Sequence, residues 1–177
     1  MFQIVSEALS HQGAIHEILE DGFGVNRLKK TVYRLRAAAA PVADLSLVAV
    51  EDVTDDVLGT LRFWPIEVRH ADGSASEALL LGPLAVAAHT QGQGVGKALV
   101  TAALEKIDLE YGLPVMLVGP LSYYAPFGFS TVHVGEITLP GAFDPARLQL
   151  RCVNGQSLAG GVVAAGHSGK VEFARSA

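Results

Sequence analysis

Three glycines in five positions stand at the centre of the segment HTQGQGVGKALV, residues 89–100. An amphipathic run follows directly and predicts a helix that begins at about Val95. Backbone amides at a helix N-terminus have no intrahelical acceptor and lie at the positive end of the helix dipole. Because glycine has no Cβ atom, a phosphate oxygen can approach such amides closely. The segment therefore predicts a phosphate-binding loop.

The spacing of the glycines excludes two common nucleotide loops. A P-loop requires Gly, four residues and then Gly-Lys-Ser/Thr, but Gln91 stands at its first position and Ala98 replaces the hydroxyl residue. A dinucleotide-binding loop requires a third glycine where this chain has Lys97. The pattern that remains is Gln91-x-x-Gly94-x-Gly96, which suits a pyrophosphate held without a metal ion.

The apolar run before this loop is interrupted. EALLLGPLAV, residues 77–86, is typical of a central strand, yet Gly82-Pro83 lies in its middle. Proline donates no hydrogen bond, and glycine within a strand marks a bulge or a close approach. A strand broken here leaves backbone groups free for a ligand.

Loop and strand together resemble the acyl-CoA-binding segment of the GNAT superfamily of N-acyltransferases. In that family a Gln/Arg-x-x-Gly-x-Gly/Ala pattern surrounds the CoA pyrophosphate, which implies acetyl-CoA as co-substrate here. The resemblance further implies that the pantetheine pairs with the backbone of Leu84, Ala85 and Val86, and that the Val86 amide donates to the oxyanion. The implied pyrophosphate arm consists of Gln91, Gly92, Gln93, Gly94, Val95, Gly96 and Lys97.

A second segment, SYYAPFGF at residues 122–129, agrees with the first. It resembles the family's tyrosine four residues before a Gly-Phe pair, which implies that Tyr124 is the general acid for the leaving thiolate. The alternative for Tyr124 is an aromatic ring packed over the end of the sheet. We assign Tyr123 to packing or to lining the substrate site. The asparagine that many members carry about seven residues before the tyrosine is Leu117 here.

The implied reaction is direct attack of a neutral amine on the thioester, which requires proton removal from the amine. Glu67 and Glu77 are the candidate general bases, because they lie on strands that flank the expected acceptor side. Each also suits an ordinary exposed carboxylate, and His70 lies between them. The six histidines show no metal-ligand spacing, so we predict no metal.

Composition limits the partners. The net charge is −5 without a basic stripe, which argues against nucleic-acid binding, and the basic stretch at 27–36 suits the solvated face of a helix. No apolar run reaches the roughly 18 residues that span a membrane. A single cysteine, Cys152, forms no internal disulfide, which suits a cytoplasmic protein.

The predicted elements form a single α/β domain over residues 1–177. We expect a GNAT-like mixed twisted sheet of about six or seven strands with about four helices, splayed between the fourth and fifth strands. Residues 141–177 are predicted to be a strand-rich extension of the same domain.

The partner is then a small-molecule or peptide amine, and a homodimer is an open alternative to a monomer. Two functional alternatives also remain open at this point. One is a CoA-binding sensor or partner-recruiting domain with weak or no catalysis, and the other is an enzyme that uses another acyl group or a hydroxyl acceptor.

Overall fold

A computed structural model describes residues 1–24, 31–133, 136–153 and 156–166, apart from the side chain of Arg34. Its strands are β1 (Phe2–Ser6), β2 (Leu47–Glu51), β3 (Val57–Arg69), β4 (Ala75–Val86), β5 (Val115–Val118), β6 (Ser130–Thr131), β7 (Ile137–Thr138), β8 (Leu148–Arg151) and β9 (Gly161–Ala165). Its helices are α1 (Gln12–Phe23), α2 (Thr31–Ala37), α3 (Val95–Lys106) and α4 (Leu121–Tyr124).

All nine strands of the described residues belong to one mixed sheet. The order is β1-β2-β3-β4-β5-β8-β6, while β9 pairs with β3 and with β7. Strands β1 to β4 are antiparallel, and β4 and β5 are parallel. The predicted mixed α/β fold with four helices is confirmed. The strand number exceeds the expected six or seven because β6 and β7 are two residues each, too short for a periodic pattern to reveal.

Strand β3 changes its partner midway along one edge. Its first part pairs with β2, up to Leu61 opposite Leu47, and its last part pairs with β9, from Ile66 opposite Ala165 onward. Pro65, which has no N–H group to donate, stands at this change, and its carbonyl accepts the Gly166 N–H at 3.0 Å. Residues 167–177 of the predicted strand-rich extension lie outside the described residues.

The two faces of the sheet carry different helices. The buried residues of α3, which include Leu99 and Ala103, pack against Leu79 and Leu81 of β4. Leu35 of α2 packs on the opposite face with Ala78 and Leu80. The helix predicted to begin near Val95 is confirmed; its last turn, residues 107–111, widens to a π-helix that ends at Gly112.

The helix expected to carry the basic stretch at 27–36 is described as α2 from Thr31 onward, and residues 25–30 lie outside the described part of the chain. Helix α1 packs on the same face of the sheet as α2 does. Its Ile15 and Leu19 contact Val48 and Ala85. Helices α1 and α2 therefore cover the face of β4 that α3 leaves open, on both sides of the Gly82-Pro83 interruption.

Candidate active site

Strands β4 and β5 separate and leave a gap between them. Their parallel register ends at Leu80 opposite Met116, although β4 continues to Val86. The predicted splay between the fourth and fifth strands is therefore confirmed. A cavity of about 460 Å³ occupies the gap. It is lined by residues 81–84 of β4, residues 117–120, Tyr124, part of α2, and residues 142–144 and 147.

A bulge at Gly82-Pro83 produces this separation. On β3 a single residue, Arg62, lies between the partners of Leu84 and Leu81, whereas on β4 both Gly82 and Pro83 lie between them. The extra residue reverses the faces of the strand, so Leu81 and Leu84 both contribute to the core beneath α3. The Trp64 indole N–H donates to the Gly82 carbonyl at 2.7 Å. The irregularity predicted at this dipeptide is therefore present.

Beyond the bulge, alternate backbone groups of β4 point into the gap. The Ala87 N–H donates to the Leu58 carbonyl of β3 at 2.9 Å. Because backbone groups alternate along a strand, those of Ala85 also point toward β3, and those of Leu84 and Val86 point toward the gap. Leu84 and Val86, but not Ala85, thus offer their amides and carbonyls to a bound ligand.

The glycine loop leads directly into α3. Gly94 is the N-cap residue with φ +86°, a conformation that L side chains rarely adopt, and the space around its Cα is open. The first intrahelical hydrogen bond runs from the Ala98 N–H to the Gly94 carbonyl at 2.9 Å. The amides of Val95, Gly96 and Lys97 precede that bond and have no intrahelical acceptor. The loop thus presents donors at the positive end of the α3 dipole.

Other side chains of the loop lie at its surface. Gln91, Gly92, Gln93 and Lys97 are exposed. The Gln93 side-chain amide donates to the carbonyl of His89 at 3.0 Å and so helps to hold the loop.

Tyr124 closes the cavity from the β5 side. It is 8% exposed, and its ring makes edge contacts with those of Tyr123 and Phe129 at centroid distances of 4.9 and 5.7 Å. Burial raises the pKa of the Tyr124 phenol well above its usual value, and the neighbouring Tyr123 adds to the rise. The phenol is therefore protonated at neutral pH and can act as a hydrogen-bond donor.

Comparison with known proteins agrees with this geometry. The family model described as the acetyltransferase (GNAT) family matches residues 13–129. The chain belongs to the GNAT acetyltransferase family. As a member it is an acyltransferase, and its co-substrate is acetyl-CoA.

Relatives of the acetyltransferase cover most of its length. It is 31% identical over 153 residues to the uncharacterized N-acetyltransferase YhbS of Escherichia coli K12. The alignment covers 78% of this chain and 89% of the relative. The crystal structure of Escherichia coli YhbS in complex with CoA matches with a TM-score of 0.71 and 25% identity over 93% of this chain and 89% of that one. The crystal structure of a Brucella melitensis GNAT acetyltransferase in complex with acetyl-CoA matches with a TM-score of 0.68 and 27% identity. This match covers 93% of this chain and 95% of that one.

The two carboxylates considered as general bases lie elsewhere in the acetyltransferase. Glu67 and Glu77 face each other across β3 and β4, near the turn of that hairpin. At about 3.3 Å per residue, Glu77 is roughly 20 Å along the strand from Leu84. Glu67 forms an ion pair with Arg69 at 2.6 Å, and Glu77 is exposed. The structure does not bring either residue to the cavity.

His70 is also held away from the cavity. Its ring nitrogens contact the Gly160 carbonyl at 3.0 Å and the Ser76 hydroxyl at 2.8 Å, so the ring fastens the hairpin turn to the segment before β9. The carboxylate that does line the cavity is Asp144, which is exposed and accepts the Ala146 N–H at 3.0 Å.

Among the cavity residues that the sequence did not indicate are Tyr33 and Arg36 of α2. The basic stretch at 27–36 was assigned to a solvated helix face, and for Arg36 that interpretation is wrong because only 8% of the residue is exposed. The sequence does hold one sign that Arg36 is buried. At helical spacing, Arg36 falls on the same side of the helix as the apolar residues Val32 and Leu35.

Two further observations concern metals and membranes. Within the described ranges, no cluster of three or more His, Cys, Asp or Glu residues could hold a metal ion. Among the helices that the structure describes, none has the length and apolarity to span a membrane.

Proposed function

We propose that this acetyltransferase transfers the acetyl group of acetyl-CoA to a primary amine of a small molecule or peptide by direct attack. The observation that carries the proposal is the cavity between the separated strands, with residues 81–84 of β4 on one side and the buried phenol of Tyr124 on the other. Two relatives crystallised with this co-substrate or its product, the Escherichia coli protein with CoA and the Brucella melitensis protein with acetyl-CoA, which supports binding of acetyl-CoA by this chain.

The cofactor would lie along β4 and end at the start of α3. The pyrophosphate accepts hydrogen bonds from amides of the arm Gln91, Gly92, Gln93, Gly94, Val95, Gly96 and Lys97. The pantetheine continues β4 as an added strand on the backbone of Leu84 and Val86. The side chain of Lys97, exposed in the first turn of α3, adds positive charge beside the phosphates.

In the reaction, the amine nitrogen forms a bond with the thioester carbon and the C–S bond breaks. Charge develops on the carbonyl oxygen, and the Val86 amide is the proposed donor to it. The departing sulfur takes the proton of the Tyr124 phenol, and solvent then restores that proton. Because Glu67 and Glu77 lie outside the cavity, we assign removal of the amine proton to water at the exposed rim beside Asp144.

Four broader predictions accompany this function. We propose that residues 1–177 form one domain and that 141–177 is its strand-rich extension, because β8 and β9 join the same sheet as β1 to β5. The cytoplasmic location suggested by Cys152 and the homodimer alternative remain predictions.

The test combines binding and turnover. Calorimetry should detect acetyl-CoA binding with micromolar affinity, and thiol release should depend on added amine when a panel of amines is supplied. A CoA-binding module without catalysis would bind equally well yet release no thiol with any amine. Undetectable acetyl-CoA binding would falsify the proposal.

A further inference from the structure

The end of the cavity formed by α2 is cationic. Arg36 lines the cavity with only 8% of its surface exposed, and its guanidinium lies 4.8 Å from the centroid of the Tyr33 ring. Within the described residues, the Arg36 Nε atom and the Tyr33 hydroxyl are both buried without a hydrogen-bond partner. Both residues line the cavity, so its α2 end holds two polar groups that the described residues do not fully satisfy.

The Arg36 side chain remains charged despite its burial. Removal from water lowers the pKa of the guanidinium to about 10, and the nearby Tyr33 phenol partly offsets this shift. At neutral pH a group with this pKa is still a cation. A buried cation without an anionic partner is costly, and a charge-bearing ligand of opposite sign removes much of that cost.

The guanidinium is fixed beside the break in β4. A Cβ atom on Gly82 would come within 2.7 Å of an Arg36 terminal nitrogen, so the absent side chain provides the space that the guanidinium fills. The bulge that opens the gap for the cofactor thus also seats the cation next to it. Arg36 borders a smaller cavity under α1 as well, but the larger cavity is the one that also contains Tyr124.

The other charged groups of the larger cavity do not neutralise Arg36. Asp144 and Arg147 line it, and both are exposed at its rim. The Asp144 carboxylate caps the turn that follows it by accepting the Ala146 N–H. The described residues thus place no carboxylate against the buried guanidinium.

We propose that Arg36 and Tyr33 form an anion subsite that binds a carboxylate of the acceptor, so the substrate class is a primary amine that carries a carboxylate. Arg36 offers the planar donors that match a carboxylate, and the Tyr33 hydroxyl adds one more. Tyr124 lies on the other side of the same cavity, so an acceptor held by its carboxylate directs its amine toward the thioester. This inference rests on the proposed function for the amine, but the subsite itself can be tested without turnover.

The binding test uses benzoate and benzamide, two probes of nearly the same shape of which one is charged. Ligand-observed NMR titration of the CoA-saturated protein should give a Kd for benzoate about tenfold or more below that for benzamide. Arg36→Met should abolish the difference, Arg36→Lys should retain part of it, and Tyr33→Phe should weaken benzoate about threefold to tenfold. Arg69→Met, which removes one exposed positive charge at the hairpin end, should change nothing.

Circular dichroism and the Kd for CoA establish that each variant is folded. Equal affinity of the wild-type protein for benzoate and benzamide would overturn the subsite, and so would a preference for benzoate that survives Arg36→Met. The wild-type comparison needs no variant, so misfolding of Arg36→Met cannot obscure it.

The turnover test uses amino acids paired with their carboxamides, followed by thiol release. Free acids should be preferred in kcat/KM by about 10- to 100-fold, mainly through KM, and Arg36→Met should remove the preference while leaving the Kd for CoA unchanged. Acids and amides acetylated equally would overturn the inference and leave the proposed function standing. Selective benzoate binding without acetylation of any amine would overturn the proposed function and leave the anion subsite standing.

Discussion

The phenolic oxygen of Tyr123 lies 2.6 Å from the position that a Cβ atom on Gly96 would occupy. Gly96 is in the first turn of α3, and Tyr123 is in α4, next to the proposed general acid. The Val86 side chain approaches the same position to 3.3 Å. The start of α3 and the tyrosine segment are therefore in direct contact, so a change in the shape of one should displace the other.

Gly96→Ala should destabilise the protein by about 1–3 kcal/mol, because the added methyl group displaces the half-buried Tyr123. The Kd for CoA should rise as well, since the first turn of α3 shifts. Urea unfolding and calorimetry measure the two effects. Adding Tyr123→Phe removes the oxygen that collides and should recover much of the lost stability, so the two changes should not be additive.

Gly13→Ala is the matched control for Gly96→Ala. A Cβ on Gly13 has nothing within 4 Å, and Gly13 lies in the first turn of α1. This change should be neutral or stabilise the protein by up to about 1 kcal/mol. A Gly96→Ala variant as stable as Gly13→Ala would show that Tyr123 does not hold α3 in place.

Gly94→Ala should raise the Kd for CoA, whereas a variant that loses the same stability elsewhere in the protein should not. The variant forces alanine into a positive φ at the N-cap, at a cost of about 1–2 kcal/mol, and its methyl group occupies the open side of the loop. Gly73→Ala is the control, because Gly73 has nearly the same φ, +87° against +86°, and equally open surroundings in the hairpin turn. Both variants should lose similar stability in urea unfolding. An equal Kd for CoA in the two would contradict the phosphate site.

Tyr124→Phe should lower kcat about 100-fold or more while leaving the Kd for acetyl-CoA unchanged, because the phenol acts only as the sulfur leaves. Steady-state kinetics and calorimetry separate the two quantities. Tyr123→Phe is the control within the same segment and should retain kcat within a few-fold. Full turnover in Tyr124→Phe would remove the general-acid role and leave the rest of the mechanism intact.

Burial of Tyr124 also predicts a dependence of stability on alkaline pH. Its folded pKa is raised above the unfolded value of about 10, so the unfolded state loses the proton first as the pH rises. The stability that Tyr124 contributes is therefore fully present below pH 10 and is lost above it. The difference in unfolding free energy between the wild-type protein and Tyr124→Phe should fall by about 1.4 kcal/mol between pH 8 and pH 11. Arg36 is present in both proteins, so its own titration largely cancels.

Glu67→Gln and Glu77→Gln should leave kcat and its pH profile unchanged, singly and together, because both carboxylates lie at the hairpin end of β3 and β4. Thiol release between pH 6 and pH 9 measures this. A tenfold loss of kcat in either variant, with its pH profile displaced, would restore that carboxylate as the general base.

The parts of the site made by the backbone could be predicted from the sequence. Gly94 and Gly96 at a helix start, and Gly82-Pro83 inside an apolar run, are local signals, because glycine and proline restrict the backbone wherever they occur. The loop and the bulge followed from them, and the splay between the fourth and fifth strands was implied by the resemblance to the GNAT family.

The parts of the site made by tertiary packing could not be predicted from the sequence. Arg36 belongs to a basic stretch, and periodicity alone does not tell a solvated cation from one that α2 turns toward a gap in the sheet. Glu67 and Glu77 lie on suitable strands but at their hairpin end, whereas the gap opens only where β4 loses its pairing with β5 after Leu80. The point at which two strands separate is set by tertiary packing, which a local pattern does not reveal. Strands β6 and β7 are set by partners distant in sequence rather than by their own two residues.

The change of partner along β3 has a consequence during synthesis. Both strands of the β3–β4 hairpin have left the ribosome once residue 86 has, but the partner that the structure describes for the edge from Ile66 to Arg69 is β9, which is translated much later. Until then that edge presents free N–H and C=O groups beside buried apolar side chains, a template on which another nascent chain can add a strand. Pairing with β9 thus covers an exposed edge as well as completing the described sheet, and we expect a chain that stops before residue 161 to aggregate more readily than the full chain.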